Sequence, residues 1–136
     1  PRIVIWNCAY AMTQKSDYNS VIGFDGYQTI SNNFLDCYSS TIENPSKKEY
    51  FLTENFNSHN QFIDFYLIGG FIGVLLFFTF FIKLIIEVKT NFFQMAIVIS
   101  FLLFFCVENI FYRQFGCYLF GIFILILLQR KLNEEN

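Results

Sequence analysis

The chain has 136 residues, a formal net charge of −2, a hydrophobic fraction of 54% and twenty phenylalanines. So apolar a mixture excludes an ordinary soluble domain, and the lack of a basic excess excludes nucleic acid as a partner. The expected class is an all-α integral membrane protein. No signal peptide is legible at the start, which lacks a basic patch followed by a short apolar core. Opening on Pro1 without an initiator methionine, the sequence reads as the C-terminal part of a longer protein.

In chain order, Val4, Cys8, Ala11 and Met12 fall on one helical face, although Ile3 and Ile5 interrupt it. The spacing predicts a short helix lying against a membrane surface. Lys15 to Ser20 is polar punctuation, and Gly23-Phe24-Asp25-Gly26 suits a turn. Gln28 to Tyr38 reads as helical, Ser39 to Lys48 as turn-rich around Pro45, and Glu49 to Asn57 has no clear pattern. Residues 1–64 together are expected to form a water-facing loop with short helices.

Three transmembrane helices are predicted to follow, at about 65–82, 90–107 and 114–129. Lys83 and Lys89 flank the first connection, and Arg130 and Lys131 follow the last helix. Positive charge in short loops marks the cytoplasmic side, so the C-terminus is expected there. The turn Glu108 to Arg113 and residues 1–64 then lie outside, with the lipid bilayer as a partner.

Chemistry concentrates at Ser58 to Gly73, where the polar segment meets the first apolar run and where the single histidine, His59, sits. Histidine is the side chain best suited to proton transfer near neutral pH. Taken alone, His59 and Asn60 are slightly better explained as an interfacial polar pair. A functional role needs partners, and Arg2, Arg113, Glu108 and Asp64 are the outer-face candidates. Arginine grips phosphate oxygens in a planar fork. For Glu108 and Arg113, a mutual ion pair is the default reading. Gly69, Gly70 and Gly73 include a G-x-x-x-G spacing, which predicts close helix packing. Cys8, Cys37, Cys106 and Cys117 match no metal-site spacing. Cys106 and Cys117 read as small hydrophobes. Cys8 and Cys37 could pair in an oxidising compartment, but two free thiols are the preferred reading.

The chain resembles the O-antigen ligase and polymerase superfamily of bacterial membrane proteins. Arg2 and Trp6 match an Arg-x-x-x-Trp motif, Gly23 and Gly26 stand at the following glycine turn, and His59-Asn60 is followed by Gly70 and Gly73. Glu108-Asn109-Ile110-Phe111-Tyr112-Arg113-Gln114-Phe115-Gly116 is similar to a late helix turn of the Bacteroidota members. Two departures are the absence of a proline before Gly23 and of an acidic residue at Ile68-Gly69. The resemblance implies the C-terminal portion of a many-helix glycosyltransferase in the bacterial inner membrane. Its donor would be a polyprenyl-diphosphate-linked glycan, and its acceptor a glycan or the lipid A core, with no cofactor or obligatory metal. His59 would activate the acceptor hydroxyl or help position the donor, Arg2 would contact the diphosphate with Arg113 as helper, and Asn60 would assist binding. A polymerase of the same class is the near alternative, and a non-catalytic transport component is the reading from another class.

Overall fold

The computed structural model describes residues 1–134, and all regular structure among them is helical. Six helices run in order: α1 (Arg2–Met12), α2 (Tyr27–Thr41), α3 (Pro45–Glu54), α4 (Gln61–Val88), α5 (Phe92–Phe105) and α6 (Gln114–Glu134). A single 3-10 turn, Ile110–Tyr112, precedes α6. The side chains of Arg130 and Lys131, which the sequence places at the cytoplasmic end, lie outside the described part.

Asparagine starts three of the helices. Asn44, Asn60 and Asn91 each accept hydrogen bonds from backbone amides of the first turn of α3, α4 and α5. The segment expected to be turn-rich is therefore mostly helix: residues 39–41 close α2, and Pro45 is the first residue of α3, where its missing N–H costs nothing. Helix α3 ends on Asn55 in the left-handed conformation at φ 46°. The buried face of α1 is Ile5, Cys8, Ala9 and Met12, whereas Ala11 is exposed. Ile5 therefore belongs to the packed face that it was expected to interrupt.

A first core joins Ile5, Met12, Ile30, Phe34, Tyr38 and Phe51 with Leu67 from the first part of α4. Cys8 and Cys37 form a disulfide inside it, contrary to the preferred reading of two free thiols. Sequence cannot show that α1 and α2 pack side by side, and that packing brings the two sulfurs together. A second core is built from Phe77, Phe81 and Leu84 of α4, Val98 and Phe105 of α5, and Leu127 of α6.

Helix α4 is long and apolar enough to cross a membrane. Helix α5 is shorter, and Gln114–Leu127, the part of α6 whose side chains are described, is apolar as well. Helix α5 stops at Phe105 because the chain beyond it folds back over the start of α4. The carbonyl of Cys106 accepts from Asn60 Nδ2 at 2.9 Å, and the amide of Phe111 donates to Gln61 Oε1 at 3.0 Å.

Helix α4 is broken at Gly70, where φ is 55° and ψ −150°. An intact helix would bond the amides of Gly70 and Phe71 to the carbonyls of Tyr66 and Leu67. Here residues 18–24 take over. Tyr18 Oη donates to the Tyr66 carbonyl at 2.9 Å, and the Phe24 amide donates to the Leu67 carbonyl at 2.8 Å. The amides of Phe71 and Ile72 donate to the carbonyls of Ser20 and Val21, at 2.8 and 3.1 Å. A Cβ on Gly70 would lie 2.6 Å from the Ile22 nitrogen, and one on Gly23 2.6 Å from the Leu67 oxygen. Both glycines have positive φ, so their identity is required twice over.

The G-x-x-x-G reading is corrected accordingly. Gly70 packs against a loop rather than a helix, and a Cβ at Gly69 would meet nothing within 4 Å. Gly73 faces the Phe65 carbonyl of its own chain segment, 3.0 Å from an added Cβ.

Candidate functional site

The site assembles where three separate pieces of chain meet: the start of α1, residues 56–64 and the turn 106–113. Trp6 lies one helical turn after Arg2, and its indole Nε1 donates to the Ser58 carbonyl at 3.0 Å. That bond fastens the Arg-x-x-x-Trp segment beside the His-Asn pair. Ser58 is fully buried, and its hydroxyl donates to Asp64 Oδ1 at 2.6 Å. Asn109, also buried, donates from Nδ2 to Ser58 Oγ at 3.1 Å and to Asp64 Oδ2. Burial pushes the Asp64 carboxyl up to about 6, against the Ser58 hydrogen bond and the charge of His59, which act to lower it.

His59 sits on this platform in the left-handed conformation, φ 48°, with its amide donating to Asn57 Oδ1 at 3.0 Å. Such a backbone is costly for a non-glycine residue and recurs where structure over-determines a functional side chain. The ring packs against Phe56, centroids 5.8 Å apart, and Nδ1 lies 3.3 Å from Glu108 Oε1. Glu108 therefore turns to His59 rather than to Arg113, its expected partner.

Two adjoining hollows share the His59–Glu108 pair as a wall. One, of about 510 Å³, is lined by Arg2, Ile3, Ile5 and Phe56 as well. The other, of about 320 Å³, is lined by Asn55, Asn57, Tyr112 and Arg113 among others. Neither Arg2 nor Arg113 has an ion pair within the described residues. Two guanidinium groups thus flank one imidazole, a combination able to hold anionic oxygens while a proton moves.

Asn60 has a different place. Its Oδ1 accepts from the amides of Phe62 and Ile63, and its Nδ2 holds the Cys106 carbonyl, so it caps α4 and ties the turn to it. The glycines lie further along: Gly70 at the helix break, with Gly69 and Gly73 on either side. Ser58 and Asn109 were not singled out in the sequence. The only hint was their position beside His59 and Glu108, since a buried serine or asparagine has no local spacing signature.

No protein-family model matches the chain, and neither the curated proteins nor the solved structures searched give a match.

Proposed function

We propose that the protein is a membrane glycan transferase of the O-antigen ligase type, moving a polyprenyl-diphosphate-linked glycan to an acceptor hydroxyl. The observation that carries this reading is His59 braced by Glu108 between hollows lined by Arg2 and Arg113. In the reaction the acceptor O–H gives its proton to His59, and its oxygen bonds to the anomeric carbon of the donor. The bond from that carbon to the diphosphate breaks, and the electron pair leaves with the polyprenyl diphosphate. Arg2 holds the charge that develops there, with Arg113 as helper. A lipid A core acceptor makes the enzyme a ligase, and a growing glycan chain makes it a polymerase.

The proposal puts α4, α5 and α6 across the bacterial inner membrane, with the site on the outer face. Two observations support that orientation. Cys8 and Cys37 are paired, as suits an oxidising compartment. Lys83 and Lys89 lie toward the end of α4 remote from His59, where the positive-inside rule puts the cytoplasm.

A transport component would draw on the helix break at Gly70, since broken helices offer backbone groups to a ligand. Here the loop 18–24 already occupies those groups.

The test is complementation of a deletion strain with the full-length gene, wild type or His59→Asn, at matched membrane levels. Asparagine tolerates positive φ, so it removes the base without forcing the backbone. The expected result is a surface-glycan pattern as deficient as that of the deletion. Long chains stranded on the lipid carrier identify a ligase, and single-repeat products identify a polymerase. A fully restored pattern sinks the transferase reading of His59.

A further inference from the structure

Glu108 sits on a turn that is anchored to the same platform as His59. The turn that carries it is tied down on both sides, by Asn60 to the Cys106 carbonyl and by Asn109 to Ser58 and Asp64. His59 is fixed through Asn57 at its own amide and through Trp6 at the preceding carbonyl. The scaffold thus holds the two backbones that bring His59 Nδ1 and Glu108 Oε1 to 3.3 Å.

An ionised carboxylate can only accept hydrogen bonds. Facing Glu108 Oε1, the imidazole must therefore carry a proton on Nδ1, and in the neutral ring this leaves the lone pair on Nε2. We infer that Glu108 is the positioning residue of His59: it fixes the Nδ1–H tautomer, presents Nε2 as the proton acceptor, and balances the imidazolium formed when the acceptor hydroxyl is deprotonated. This rests on the transferase reading and assigns a role within it. The arrangement parallels the logic by which a buried carboxylate orients the histidine of serine proteases. Other charged groups around the ring are Arg2 in the first hollow, Glu54 and Arg113 in the second, and Asp64 across Ser58. Of these carboxylates, Glu108 alone is in contact with the imidazole.

The test uses the full-length enzyme in lipid with a polyprenyl-diphosphate glycan as donor, comparing wild type, Glu108→Ala, Glu108→Asp, Glu108→Gln and His59→Asn. Glu108→Ala is expected to lower kcat on the order of 10²-fold, with the KM for donor changed less than about threefold. Glu108→Asp keeps the carboxylate and should recover part of that loss. Nitrogen-15 histidine spectra, with the His59→Asn spectrum subtracted, should show Nδ1–H in the wild type and a mixture of tautomers in Glu108→Ala. A single symmetric elution peak and a cooperative thermal transition in detergent report that each variant has folded. Should Glu108→Ala fail to accumulate, Glu108→Gln carries the kinetic test, because the amide fills the same space but cannot balance the imidazolium. Wild-type kcat in the folded Ala or Gln variant, or an unchanged tautomer in Glu108→Ala, overturns the assignment. Full activity of His59→Asn instead overturns the transferase reading beneath it.

Discussion

The two cores bury aromatic rings on different terms. In the first, Tyr38 lies between Phe34 and Phe51, fully buried, and its hydroxyl donates to the Phe56 carbonyl at 3.0 Å. In the second, Phe77 is ringed by Phe62, Phe65, Phe81, Phe105 and Phe111. One core is fixed by a buried hydroxyl hydrogen bond and a disulfide as well as by packing. The other relies on edge-to-face contacts between like rings. Its outer face leaves Phe92 89%, Phe115 76% and Leu125 68% exposed. Apolar surface on that scale calls for an apolar surrounding, which is why the proposal puts this half in lipid.

That contrast can be broken from either side. Phe77→Ala removes the ring at the centre of the second core and should cost about 3–5 kcal/mol. Thermal unfolding in detergent micelles should show the loss while the Cys8–Cys37 bond persists. Replacing both Cys8 and Cys37 by serine should cost about 3–4 kcal/mol, confined to the first core. Maleimide labelling after denaturation checks the premise: wild type should label at Cys106 and Cys117 but not at Cys8 or Cys37.

The next effect lies at the seam between the cores. Gly70→Ala forces a Cβ against the backbone of Val21 and Ile22 and should cost roughly 2 kcal/mol of strain. Faster hydrogen exchange at Tyr18 to Phe24 would show that loop released, and wild-type protection there would contradict the packing described. The smallest effect is one of pH. Asp64 precedes the apolar run, and burial raises its carboxyl from 3.8 to about 6 in the folded protein. A raised carboxyl contributes stability that is whole below the unfolded value and lost as pH rises through the folded one. Between pH 4 and pH 6 the wild type should therefore lose about 1–2 kcal/mol, whereas Asp64→Asn should show a flat profile.

Much of the helical order was legible because apolar spacing and polar punctuation are local. Helix α2 and the apolar cores of α4 to α6 came from that signal. Helix α3 had a signal that was misread, since Asn44-Pro45 marks a helix start as readily as a turn. The break in α4 was hidden because hydrophobic pattern does not report φ, and Gly69-Gly70 looked like helix packing. At the site, His59, Arg2 and Arg113 were candidates by residue type, and the folded chain gathers them around two hollows. The partner of Glu108 was not legible: sequence favours the nearby Arg113, whereas the tertiary fold supplies His59 from a distant segment. The disulfide was missed for the same reason, two free thiols being the preferred reading.

The filled break in α4 carries a consequence for how the chain is made. Tyr18 precedes the carbonyl it holds, that of Tyr66, by 48 positions, so synthesis completes the wedge well before its slot exists. When residues 66–72 emerge, they can bond to one another as an unbroken helix until the wedge displaces those bonds. The bend in α4 is thus held by a segment 48 positions upstream and not by the helix's own backbone bonds. The bend requires residues 18–24 to lie against the start of α4.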